Sequence, residues 1–175
     1  THTLSMILVI DKSGSMKGEK IEIARESAKA AVKLLLSQEK IGIVAFDTES
    51  EEIVSLQKAE NKSQINDKIS QLESQGGGTD IMSGLKEGYE VLKSDDSAVR
   101  HIILLSDGVS TSADFEEIAR NINREGITLS TIAIGENSDY DLMSKLATWG
   151  DGKSYFTRNI NSLPQILTSE TKRII

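Results

Sequence analysis

Asp11-Lys12-Ser13-Gly14-Ser15 places one carboxylate and two hydroxyls at alternate positions, and two later stretches bring more oxygen donors beside glycine: Gly76-Gly77-Gly78-Thr79-Asp80 and Ser106-Asp107-Gly108. Two carboxylates (Asp11, Asp107), three hydroxyls (Ser13, Ser15, Thr79) and no soft donor suit a hard cation, Mg²⁺ first, with Mn²⁺ or Ca²⁺ as alternatives. If the neutral hydroxyls coordinate directly while the aspartates hold coordinated waters, the ion keeps part of its charge. It then still attracts an external carboxylate. Taken alone, Asp11 with Ser13 and Ser15 also reads as a turn leading into a helix. The triple glycine lacks the following Lys-Ser/Thr of a nucleotide loop and the spaced glycines of a dinucleotide loop, which disfavours phosphate binding.

These stretches need a scaffold that delivers them to one place. Met6 to Ile10, Ile41 to Phe46, His101 to Leu105 and Thr128 to Ile134 are short apolar runs rich in β-branched residues. Such runs, separated by segments of helical periodicity, predict parallel strands buried on both faces. Ile21, Ala24, Ala28, Ala31, Val32 and Leu35 mark one face of a first helix. Further helices are expected at about 61–72, 81–92, 114–124 and 139–147, and from Ser162 to the end. Asn61 with Gln64, Asp114 with Glu117 and Ser138 with Asp141 resemble N-caps, and Gly126 and Gly150 mark helix ends. Pro164 fits the first turn of the last helix.

Glu52 to Leu56 follows Asp47 too closely for a parallel crossover, so it is expected as a short antiparallel edge strand; the last strand is expected at Ser154 to Thr157. The order β-α-β-β-α-α-β-α-β-α-β-α gives an α/β fold: one doubly wound, Rossmann-like open sheet, mainly parallel, with helices on both faces. Asp11 and Asp107 each follow a strand at its carboxyl end. If those strands are neighbours, the two carboxylates converge in the crevice where such folds bind ligands.

Composition narrows the function. Lys plus Arg total 20 and Asp plus Glu total 27, a net charge of −7, which argues against gripping nucleic acid or an anionic membrane. There is no Cys, so disulfides and thiolate metal sites are excluded. His2 and His101 are the only imidazoles. His101, at the opposite end of its strand from the acidic cluster, is expected to be structural. No run of about 18 apolar residues is present, so no membrane insertion by this segment is expected. The chain starts at Thr1 without a signal-like segment and is expected to be a mature fragment or a domain cut from a longer protein.

The three motifs, in this order and at these places, resemble the von Willebrand factor type A (VWA) domain with its metal-ion-dependent adhesion site, and the likeness spans nearly the whole chain as one domain, 1–175. The resemblance implies that Ser13, Ser15 and Thr79 are direct or near-direct ligands and that Asp11 and Asp107 act largely through water. It implies that Thr79 and Asp107 exchange closeness to the metal as the domain changes state. Asp80, Gly14, Gly78 and Gly108 stand just behind them. A partner protein would supply an acidic side chain to the last coordination position, with Lys12, Met16, Lys17, Ser110 and Thr111 as rim contacts. Val44-Ala45-Phe46-Asp47, His101 to Gly108, and Ser162-Leu163-Pro164-Gln165-Ile166 resemble bacterial members set in larger membrane-anchored proteins that also carry a glutamine-amidotransferase-like region. None of that region is present, so its activity is not assigned to this chain.

The function so implied is a non-enzymatic, cation-dependent protein-binding module for adhesion or scaffolding. It is expected to be monomeric in isolation and extracytoplasmic or membrane-anchored through other parts of its parent. By resemblance the final helix would slide along the sheet, anchored by Ile166 and Leu167. The alternative is a metal-dependent hydrolase or phosphotransferase using the same carboxylates, with Asp11 as nucleophile. The phosphatases it would resemble carry Asp-x-Asp, whereas Ser13 stands in the second place here. Asp47 is expected as a solvated rim carboxylate, Glu49, Glu51 and Glu52 as a solvated edge, and Trp149 as packing at a helix end.

Overall fold

The computed structural model describes residues 3–175; His2 lies outside them. Chain order is β1 (Leu4–Asp11), α1 (Glu19–Leu34), β2 (Lys40–Phe46), β3 (Ser50–Lys58), α2 (Lys62–Ser70), α3 (Ile81–Lys93), β4 (Val99–Ser106), α4 (Phe115–Arg124), β5 (Ile127–Ile134), α5 (Tyr140–Trp149), β6 (Asp151–Thr157) and α6 (Leu163–Ile174). The six strands form one sheet in the order β3-β2-β1-β4-β5-β6. All neighbours are parallel except β2 and β3. This is the expected doubly wound, Rossmann-like α/β sheet with an antiparallel edge strand.

Alternation along each strand explains the layers. Leu4, Met6, Leu8 and Ile10 of β1 join Ile41, Ile43 and Ala45 of β2 in one core, covered by α1, α2 and α6. Ile7 and Val9 join Val44, Phe46, Ile102 and Leu104 in the other, covered by α3, α4 and α5. Both faces are apolar, so the central strands read as unbroken hydrophobic runs. Trp149 packs against the second core from the end of α5, as expected.

Several boundaries differ from the sequence expectation. The edge strand β3 runs nine residues, because its polar ends still pair with β2 across two register irregularities. β6 begins at Asp151 rather than Ser154. Asn61 and Asp114 cap α2 and α4 as expected. At α5 the cap is Asp139, which accepts from Leu142 N, while the Ser138 hydroxyl turns back to Gly135 O at 2.7 Å.

The strand order positions the site. β1 pairs with β4 in register, Ile10 opposite Leu105. The chain leaves β1 toward β2 on one side and leaves β4 toward β5 on the other. The carboxyl ends of β1 and β4 therefore flank the topological switch point, where loops diverge and leave a crevice.

Candidate metal centre

Asp11 ends β1 with its side chain fully buried. One carboxylate oxygen accepts from the Ser13 amide at 2.8 Å, and the other accepts from Ser106 Oγ of β4 at 2.8 Å. Burial raises the carboxyl above its ordinary range, and the nearby Asp107 charge adds to that, against the hydrogen bonds from Ser13 and Ser106. With both oxygens engaged, Asp11 serves to hold the Ser13 turn in place.

That turn delivers Ser13 and Ser15 to Asp107. The two hydroxyls lie 3.3 Å apart, and Ser15 Oγ donates to Asp107 Oδ1 at 2.7 Å. Thr79 stands beside them: a Cβ on Gly108 would lie 3.4 Å from Thr79 Oγ1, and the Thr111 amide donates to Thr79 O at 3.0 Å. Every member of the predicted ligand set, Asp11, Ser13, Ser15, Thr79 and Asp107, is thus brought to one edge of the sheet.

The glycine-rich loop fastens this arrangement. Gly14 N donates to Gly77 O at 3.0 Å, and Ser74 Oγ donates to Ser13 O at 2.7 Å. Gly76 and Gly77 hold φ of 87° and 93°, a region costly for residues with a Cβ. Gly78 follows them in the same loop. Asp80 closes the segment by capping α3, accepting from Ser83 N at 3.3 Å, so its carboxylate supports the loop from behind.

The donor set fits a small hard ion. Ligand oxygens about 2.1 Å from Mg²⁺ in an octahedron are spaced about 3.0 Å from one another. The two oxygen spacings here, 2.7 and 3.3 Å, bracket that edge length. Among the described residues no group of three or more acidic, imidazole or thiol side chains is disposed for a metal.

Two of the predicted rim residues are not at the rim. Met16 is fully buried in the α1 core, because the short helical turn after Ser13 folds it inward. Lys12 is largely buried and commits its ammonium to Asp47 at 3.2 Å and Glu51 at 3.6 Å. Asp47 is correspondingly not a solvated carboxylate. Burial raises its pKa, but the bonds from the Glu49 amide and Lys12 prevail and hold the carboxyl below its ordinary value. Lys17 and Thr111 are exposed, and Ser110 is half-buried, accepting from Ile81 N at 2.9 Å. Glu49, Glu51 and Glu52 are solvated as expected.

Three residues outside the predicted set complete the geometry: Ser106, Ser74 and Lys20. Ser106 stood beside Asp107 in the motif. Ser74 and Lys20 carried no sequence signal, since each acts across more than 60 positions. Lys20, in the first turn of α1, places Nζ 2.8 Å from Asp107 Oδ2.

The model of the von Willebrand factor type A domain matches residues 5–169. The chain belongs to that family. Among relatives of this VWA domain, the Synechocystis protein sll0103 is 28% identical over 160 residues, covering 89% of the chain and 38% of its own length. Escherichia coli YfbK is 26% identical over 181 residues, covering 98% of the chain and 31% of its own length. The VWA domain thus spans about a third of the length of these curated relatives.

Solved structures share the fold. A von Willebrand factor type A protein from Catenulispora acidiphila superposes with a TM-score of 0.87 at 24% identity, covering 98% of this chain and 42% of that one. Proximal thread matrix protein 1 of the mussel byssus, solved with zinc in its MIDAS motif, gives 0.85 at 21%, covering 97% and 47%. The pilus adhesin SpaC of Lactobacillus rhamnosus GG gives 0.82 at 18%, covering 99% and 30%. Among the described residues no helix is long and apolar enough to cross a membrane.

Proposed function

We propose that this VWA domain is a divalent-cation-dependent protein-binding module in which Ser13, Ser15, Thr79 and Asp107 hold the ion and an Asp or Glu of the partner completes its coordination. The observation that carries this reading is the Ser13–Ser15–Asp107 chain of oxygens, spaced for a small ion, with Thr79 alongside. When bound, Mg²⁺, or Mn²⁺ or Ca²⁺ in its place, supplies positive charge and a coordination position open to an external carboxylate. Asp11 fixes the turn, Asp80 fixes the glycine loop, and the exposed Lys17 and Thr111 flank the approach.

Support comes from the family too: the mussel protein carries zinc in its MIDAS motif and SpaC is a pilus adhesin. We assign the parent protein an extracytoplasmic or membrane-anchored setting through segments outside this domain. The domain itself we take to be monomeric. A hydrolase reading is disfavoured by Asp11, the one candidate nucleophile, which is fully buried with both oxygens already accepting hydrogen bonds.

The test is calorimetric titration with Mg²⁺, followed by pull-down from a lysate with Mg²⁺ or EDTA. Saturable binding lost in Ser13→Ala/Ser15→Ala, with partner capture lost in EDTA, is expected. Full-strength capture in EDTA, or phosphomonoester turnover abolished by Asp11→Asn, would overturn the reading.

A further inference from the structure

Lys20 occupies an uncomfortable place. It is the second residue of α1, where the helix dipole disfavours a cation, and Glu19 and Glu22 fill the same turn as the dipole would prefer. Its side chain keeps 38% of its surface exposed, yet it reaches inward to an Asp107 side chain that is 0% exposed. Holding a long, flexible lysine in one geometry costs rotamer entropy. A local rule broken in this way points to a role at the site it reaches.

The carboxylate of Asp107 is divided between two neighbours. Oδ1 accepts from Ser15 Oγ at 2.7 Å, on the side of the candidate ligands, and Oδ2 accepts from Lys20 Nζ at 2.8 Å. Lys20 thereby restricts Asp107 to offering one oxygen toward Ser13 and Ser15. Lys12 is committed to Asp47 and Glu51, and Lys17 is exposed at the rim. The fixed ammonium at the site is that of Lys20.

Charge then decides the consequence. Asp11 and Asp107 carry two negative charges that offset those of a divalent ion and so weaken its pull on an incoming anion. With the Lys20 ammonium counted, the loaded site carries a net single positive charge. We propose that Lys20 is a positioning residue that weakens metal binding in exchange for stronger attraction of the partner's carboxylate. This rests on the ion-binding reading above and names the feature of the domain that sets its balance between ion and ligand.

The two affinities must move in opposite directions when the charge is removed, which a merely structural role would not produce. Mg²⁺ affinity is measured by calorimetry on the whole domain, for wild type, Lys20→Met and Lys20→Arg. Acetate affinity of the Mg²⁺-saturated domain is followed by NMR at the Gly14 and Gly78 amides. Lys20→Met is expected to bind Mg²⁺ about 10-fold more tightly and acetate about 10-fold more weakly, the size of a nearby, partly screened unit charge. Lys20→Arg is expected to keep both wild-type values. Equal or weaker Mg²⁺ binding by Lys20→Met, or unchanged acetate binding, would overturn the assignment of Lys20 while leaving the ion site standing. Absence of Mg²⁺ binding in wild type would remove the site and this inference together.

Discussion

Ser106 of β4 donates its hydroxyl proton to Asp11 Oδ2 at 2.8 Å, tying together the carboxyl ends of two strands that lie 95 positions apart in sequence. The bond is buried, and Asp11 in turn orients the Ser13 amide at 2.8 Å. The position of the candidate hydroxyl ligands therefore depends on the neighbouring strand as well as on their own loop.

Removing that bond should be felt in metal binding. Ser106→Ala is expected to weaken Mg²⁺ affinity by about 10-fold, the usual scale for a group that orients a metal site from behind. It should cost about 1–3 kcal/mol of stability, because a buried carboxylate oxygen loses its donor. Calorimetry and urea unfolding on the same variant check both.

The glycine loop offers a second test. Gly77 holds φ at 93° while its carbonyl accepts from Gly14 N. Gly77→Ala forces a Cβ into that backbone region at a cost of about 1–2 kcal/mol, and the added carbon would also stand 3.5 Å from the Asp47 carboxylate. A lower Tm together with weaker Mg²⁺ binding is expected, whereas Gly126→Ala, far from the site, should lower Tm alone.

At the other end of the sheet, Glu170 of α6 is fully buried and accepts from Tyr155 at 2.6 Å and Arg173 at 2.7 Å, with His101 Nε2 at 2.8 Å. Burial alone would raise its pKa; the His101, Arg173 and Tyr155 bonds outweigh it and hold the carboxyl far below its ordinary 4.5. Tyr155, half-buried beside that carboxylate, is pushed up to about 12 by desolvation and by its bond to Glu170. Glu170→Ala leaves the buried His101 ring and the Tyr155 hydroxyl without their acceptor, at about 1–3 kcal/mol each, so a loss of about 2–6 kcal/mol is expected in urea unfolding at pH 7. Since the folded pKa is depressed, the contribution is complete above pH 4.5 and declines only as the pH falls below it. The deficit of Glu170→Ala should accordingly shrink in acid. Metal binding at the opposite edge should be unchanged.

Asp95 gives a milder acid signature. Burial acts to raise its pKa, but Lys40 at 2.9 Å and the Ser97 amide at 3.0 Å bring it to about 2. The stabilisation is present above its ordinary 3.8 and is lost as the pH falls toward 2. Asp95→Asn is expected to remove up to about 2 kcal/mol at pH 7 and to match wild type near pH 2, as read by denaturant midpoints across pH.

The sheet was legible because its central strands are buried on both faces and so print as continuous apolar runs, Met6 to Ile10 and His101 to Leu105 among them. The convergence of Asp11 and Asp107 was expected only on the condition that their strands are neighbours, and the sheet pairs β1 with β4. What escaped was set by side-chain direction and distance. Lys12 sits inside the ligand motif and Met16 directly follows it, yet Asp47 and the α1 core draw them inward. Ser138 and Asp139 are adjacent and both can cap, so sequence could not choose between them. Of the two apolar α6 residues named from sequence, Leu167 is buried and Ile166 partly buried, while the polar lock on the same helix, Glu170, needed partners from β4 and β6 that no local pattern links.

The most direct test of the central claim is an anomalous difference map from crystals grown with Mn²⁺ and acetate. A peak bounded by Ser13 Oγ, Ser15 Oγ, Thr79 and Asp107, with acetate or a neighbouring carboxylate on its open side, is the predicted result. A map with no peak there, or with manganese held elsewhere and the Ser13–Ser15–Asp107 hydrogen bonds still in place, would contradict it.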